Sequence, residues 1–196
     1  LSGTVIWAYF SSCLNQTGKT FVDNSQVFGK VYFPRVAVPI SIAITAVFQF
    51  LIQFAIFLGF FIYFYYIGSD IKPNIYVLTL PLIVLHMAVL SVGMGLIISA
   101  ATAKYRDLTF AMGFFVQLWM YLTPVVYPLS EVPDRFKIFI LINPMTAVVE
   151  SFRGAFLGAN SITLDSLILS IIITVVVFVL GIIVFSRVEK TFMDTI

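Results

Sequence analysis

The sequence predicts an all-α, polytopic membrane protein, and three observations carry that prediction. The first is composition: 61% of the 196 residues are hydrophobic and only 10% are charged, against about 25% charged in soluble domains. The second is the placement of the charges, which stand in groups separated by long uncharged gaps. The third is a proline-punctuated stretch, 124–165, whose apolar run is too short to cross a bilayer. Mean hydropathy is +1.07. With 11 Lys+Arg and 9 Asp+Glu side chains, the chain cannot coat a globule with polar surface, so lipid is part of its solvent. A soluble enzyme is excluded, and a net charge of +2 excludes a basic nucleic-acid binder. The single Cys13 leaves no disulfide framework and no cysteine metal cluster.

Taken in order, the first apolar piece is 1–14, too short to span alone. It opens on Leu1, lacks a basic start and a small-residue cleavage site, and reads as the end of a helix already begun rather than a signal peptide. Uncharged gaps follow at 36–69, 73–103, 108–130 and 166–186. Each exceeds the roughly 20 helical residues that cross a hydrocarbon core of about 30 Å. The expected count is therefore four complete transmembrane helices plus one partial one. The first gap ends in Phe60, Phe61, Tyr63, Phe64, Tyr65 and Tyr66, which read as an interfacial aromatic belt. Between the last two spans, Pro124, Pro128, Pro133 and Pro144 break the chain around the apolar run 138–149. That pattern predicts short re-entrant helices on the outer side, turning at Asn143-Pro144.

Basic residues set the orientation. Lys19, Lys30, Arg35, Lys104, Arg106, Arg187 and Lys190 fall on one side; Lys72, Arg135, Lys137 and Arg153 fall on the other. The more basic side is the cytoplasmic one by the positive-inside rule.

Small and polar residues recur every four positions within the spans: Ser41, Thr45, Gln49 and Gln53; Ser91, Gly95 and Ser99; Ser170 and Thr174. This spacing stays near one helix face and suits close helix packing in lipid. On 108–130, Phe110, Gly113, Phe114, Gln117 and Tyr121 share about 100° of arc. Two readings stay open for this face. Rings and an amide suit a conduit for sugars, whose C–H faces lie on aromatics, or else a packed helix contact. His86 is the only intramembrane group that titrates near neutrality. No carboxylate shares its span, so it reads as a neutral bond between helices, with a proton relay as the alternative. No nucleophile–base pair, zinc spacing or phosphate-binding glycine loop is present. The chain is expected to be a transport subunit, not an enzyme.

Several motifs coincide in order: Asn24, then Gly29-Lys30-Val31-Tyr32-Phe33-Pro34-Arg35 with Pro39; Tyr105-Arg106-Asp107-Leu108; Thr123-Pro124-Val125-Val126-Tyr127-Pro128; Asn143-Pro144-Met145; Ser151-Phe152-Arg153-Gly154. The ordered set resembles the permease subunit of type-2 ABC exporters for bacterial O-antigen, capsule and teichoic acid. The resemblance implies a single transmembrane domain over 1–196, lacking an N-terminal interfacial helix and first span. It implies a homodimer with two ATPase subunits that hold ATP and Mg, so no cofactor resides on this chain. The cargo would be a polyprenyl-linked glycan, and the location the bacterial cytoplasmic membrane. Loop 23–35, with Lys30, Tyr32, Phe33, Pro34 and Arg35, would dock on the ATPase, and Tyr105, Arg106 and Asp107 would form a second contact. Phe110, Phe114, Gln117, Tyr121 and Tyr127 would line the glycan path, while Asn143, Pro144 and Arg153 would shape the outer turn. The alternatives are the same fold exporting a drug or small lipid, and a proton-coupled secondary transporter.

Overall fold

The computed structural model describes residues 1–28, 33–68, 74–158 and 162–193; Lys30 and Tyr32 lie outside them. Among the described residues every regular element is helical. Helix α1 (Ser2–Gly18) is followed by two single-turn helices, α2 (Thr20–Asp23) and α3 (Ser25–Phe28). Helix α4 (Ala37–Tyr66) carries Pro39 in its first turn, where a missing N–H costs nothing. A 3-10 turn over Ile75–Thr79, capped by the Asn74 side chain, leads into α5 (Leu80–Lys104). Then come α6 (Leu108–Leu122), α7 (Asp134–Ile142), α8 (Pro144–Leu157) and α9 (Leu164–Met193).

Among the described residues three helices are long and apolar enough to cross a membrane: Ala37–Tyr66, Ile75–Lys104 and Leu164–Lys190. The expected fourth span falls short. Its uncharged gap runs to residue 130, but α6 stops after 15 residues at Leu122, about 22 Å of helix. The cause is local. Pro124 disfavours helical geometry at Thr123, which is extended at φ −108° and ψ 139°. A charge-free gap measures where lipid is tolerated, not where the helix continues. The α7–α8 pair passes the same length and apolarity test only as one piece bent by 96°.

Helix α5 is the centre of the bundle, seated against α9 on one side and α1 on the other. The four-spaced row on α5 is buried, with Ser91 and Ser99 inaccessible and Gly95 against the Thr17 side chain. The row on α4 differs. Ser41, Thr45 and Gln49 are exposed, and their hydrogen bonds run within α4 (Ser41 Oγ to Val38 O, Thr45 Oγ1 to Ser41 O) or to Ser12 of α1. Helix α1 runs through Gly18, past the apolar 1–14, and is buried nearly all round; the Tyr9 hydroxyl donates to Ala43 O of α4 and Thr102 donates to Gly18 O. One end of the bundle thus gathers Lys19, Arg35, Lys104, Arg106 and Lys190, and α7 and α8 cover the other.

The α5–α9 contact is set by two glycines. A Cβ on Gly93 would stand 2.7 Å from Phe178 Cα, and one on Gly181 would collide with Gly93 O. Backbone meets backbone there, so a larger residue cannot be relieved by a rotamer change. Gly93→Val should lower unfolding stability in mixed micelles by about 1–3 kcal/mol. The same change at Gly59, which has no neighbour within 4 Å, should be nearly silent in that titration.

Candidate functional site

The site begins on α6. Met112 and Val116 are buried against the bundle, and Trp119 meets Phe10 of α1 edge-on at 5.6 Å. The opposite side carries Phe110, Gly113, Phe114, Gln117 and Tyr121, all exposed. The packed-contact reading of this face therefore has no partner within the described chain. Past Thr123 the backbone leaves the helix, and a cavity of about 600 Å³ opens between the end of α6 and α7, lined by Trp119, Tyr121, Tyr127, Phe136, Phe139 and Asn143. The Tyr127 hydroxyl donates to Tyr121 O at 3.0 Å. The structure thus brings Tyr121, Tyr127 and Asn143 to one cavity.

Asn143 ties the two sides of that cavity. Its Oδ1 accepts from Met145 N at 3.1 Å as the N-cap of α8, and its Nδ2 donates to Thr123 Oγ1 at 2.8 Å. Pro144 occupies the first turn of α8. Arg153 is 8% exposed and fills the space beneath the break. It donates to the carbonyls of Pro124 (2.9 Å), Val125 (3.2 Å) and Tyr127 (3.3 Å), and pairs with Glu150 Oε1. The same Glu150 oxygen accepts from Leu129 N at 3.3 Å. Glu150 was missed in the sequence, although its place three residues before Arg153 puts both on one helix face.

His86 lies between helices, as the bonding reading expected. Its Nε2 is 2.9 Å from Thr174 Oγ1 and 3.2 Å from Ser170 Oγ, and Ser170 also donates to Pro144 O at 2.9 Å. The four-residue spacing of Ser170 and Thr174 was visible in the sequence, but their partner was not.

At the basic end, Tyr105, Arg106 and Asp107 are exposed in the turn between α5 and α6, with the Lys104 ammonium over the Tyr105 ring. Pro34 is exposed and Phe33 packs on Phe28. Arg35 is turned inward. It is 4% exposed, with its guanidinium on Phe28 O and Glu189 O, both at 3.1 Å. As a surface residue offered to a partner it does not stand with Pro34 and Arg106. Among the described residues no group of three or more His, Cys, Asp or Glu is placed to hold a metal.

Removing Arg153 leaves the buried Glu150 carboxylate without that cation and takes a donor from three carbonyls. Arg153→Met should cost about 3–5 kcal/mol in a micelle unfolding titration. Glu150→Gln in the same chain should return part of that loss, because the neutral amide no longer needs a cation. Equal stability of the Met variant and the parent would show that the pair does not hold the break.

Residues 1–157 match the family described as ABC-2 type transporter. The chain is 25% identical over 198 residues to an O-antigen export system permease protein RfbA of Klebsiella pneumoniae, covering 99% of this chain and 73% of that protein. A second Klebsiella pneumoniae protein of that name is 22% identical over 196 residues, with the same coverage. A Myxococcus xanthus protein of that name is 25% identical over 158 residues, covering 79% of this chain and 58% of the relative. The apolar helices long enough to span and the family match over 1–157 agree: the chain is a multi-pass membrane protein and belongs to the ABC-2 type transporter family.

Proposed function

We propose that this chain is the permease subunit of an ATP-driven exporter of lipid-linked polysaccharide (O-antigen, capsule or teichoic acid) in the bacterial cytoplasmic membrane. The observation that carries the proposal is the outward face of α6, where Phe110, Phe114, Gln117 and Tyr121 run toward the aromatic cavity at Tyr127. An amide and a phenol are poorly solvated by hydrocarbon. Aromatic rings alternating with hydrogen-bonding groups suit pyranose rings, which have apolar faces and polar rims. The relatives are named for O-antigen export, one member of that cargo class.

In this reading two copies of the chain face each other across the path, and the basic end of the bundle lies in the cytoplasm. Two ATPase subunits bind there, holding ATP and Mg, so hydrolysis is not a property of this chain. Their contacts are Lys30, Tyr32, Phe33 and Pro34 before α4, and Tyr105, Arg106 and Asp107 before α6. The bent α7–α8 pair is the re-entrant element at the outer end of the path, with Asn143-Pro144 at its turn. Residues 60–66 form the outer aromatic belt. A proton-coupled mechanism has less to rest on, because His86 already bonds to Thr174 and Ser170.

Phe114→Ala, Gln117→Ala and Tyr121→Ala combined should lower glycan export in cells by about tenfold, equivalent to roughly 1.4 kcal/mol of lost contact. Copurification of the ATPase and its hydrolysis rate should stay near parental values. Undiminished glycan export would remove this face of α6 from the path. His86→Gln, which keeps a hydrogen-bonding side chain, should leave export nearly intact; abolished export at normal expression would revive the proton relay.

A further inference from the structure

Arg35 and Ser170 sit near opposite ends of α9, and each ties that helix to an element outside it. At the basic end, Arg35 Nη1 donates to Glu189 O and Nη2 to Phe28 O, both at 3.1 Å. Its Nε lies 3.9 Å from Glu189 Oε1, and the guanidinium covers the Phe28 ring at 5.2 Å. A cation there also complements the negative C-terminal end of α9. Stacking of Phe21 on Phe185 at 4.6 Å adds a second tie between the short helices and α9. At the other end, Ser170 is fully buried and its Oγ donates to Pro144 O, the first residue of α8. Thr174 and His86 bond one turn further along. Ser170 and Glu189 are 19 positions apart, about 28 Å of continuous helix. Between them the Gly93–Phe178 and Gly181–Gly93 approaches leave no room for α9 to slide on α5.

We propose that α9, locked to α5, is a strut that couples the short inner helices to the α7–α8 pair, with Arg35 and Ser170 as the positioning residues at its two ends. Displacing α3 drags the end of α9 through two carbonyl bonds and an ion pair. The rigid α5–α9 pair carries that displacement to Pro144, and so to the helix that holds Arg153 beneath the cavity. The physical link stands on contacts within this chain; its use in transport rests on the export reading above.

The link is tested by amide hydrogen exchange on the purified permease in nanodiscs, with Arg35→Gln, Glu189→Gln, Ser170→Ala and the Arg35→Gln/Ser170→Ala double variant. Arg35→Gln should raise exchange over 144–157 by about fivefold, the effect of about one hydrogen bond lost. Glu189→Gln, which keeps both backbone acceptors, should do so more weakly, and Arg35→Lys should restore part of the protection. In the Ser170→Ala background Arg35→Gln should add nothing over 144–157, because the outer tie is already cut. Changes confined to 20–35 and 185–190, or additive effects in the double variant, would overturn the strut. The second readout is the complex with its ATPase in vesicles loaded with lipid-linked glycan. Arg35→Gln should hydrolyse ATP near the parental rate while export falls about tenfold, and export and hydrolysis falling together would overturn the coupling role. Failure of the parent chain to associate with any ATPase would sink the export reading instead, while the exchange data still decide the strut.

Discussion

Backbone that leaves a helix among apolar side chains must find its hydrogen bonds elsewhere, and here one guanidinium serves three carbonyls. Pro124, Val125 and Tyr127 lie between α6 and α7 with no helix of their own, and Arg153 donates to each of them. In water such a break would be solvated at no cost; in hydrocarbon each orphan group costs several kcal/mol. Arg153 is held in turn by Glu150, and both sit on α8, which is buried against α1, α5 and α9. A buried ion pair gives little net stability against apolar residues of the same size. What it supplies is a set of donors and acceptors that no apolar pair has. The irregular backbone between α6 and α7, beside the cavity, depends on that supply.

Much of this architecture was legible in the sequence because lipid makes charge placement informative. The uncharged gaps located α4, α5 and α9, and the Asn143-Pro144 pair located the α7–α8 turn. The spacing of Ser91, Gly95 and Ser99 marked a shared face of α5, and that face is buried. Other features were hidden because they depend on partners remote in sequence. Nothing near Arg35 announces Glu189, 154 positions away, so a basic residue in a proline-flanked loop reads as surface until its neighbours are known. The length of α6 was misjudged for a different reason: hydropathy reports solvent preference, and Pro124 overrules it through backbone sterics. The polar row on α4 had the same four-residue spacing as that on α5 but proved exposed, since spacing defines a face without saying what covers it.

Two kinds of hydrogen-bonded polar side chain stand out within the bundle. Thr102, Tyr9, Ser170 and Asn143 all bond across elements and fix how helices meet. Ser41 and Thr45 bond back to their own helix, which leaves their faces tolerable in lipid and open to a neighbour. The first kind concentrates around α5, α8 and α9, where the close glycine contacts also lie. Those helices form the rigid part of the molecule, and α6, which touches α1 through a few side chains, is attached to it from one side.

That asymmetry bears on where cargo passes. A transmembrane channel inside one chain would place polar groups in the interior of its own bundle, with the helices splayed around them. Here the interior is filled: Tyr9, Phe10, Leu14, Met87, Leu90 and Leu96 are inaccessible. The amide of Gln117 and the phenol of Tyr121 point the other way, out of the chain. Hydrocarbon is a poor environment for both, and the buried core offers no route past them. On the proposed reading the path therefore belongs to the assembly rather than to the single chain. The packed core provides a rigid wall, and α6 presents the sugar-compatible surface to the space between two copies.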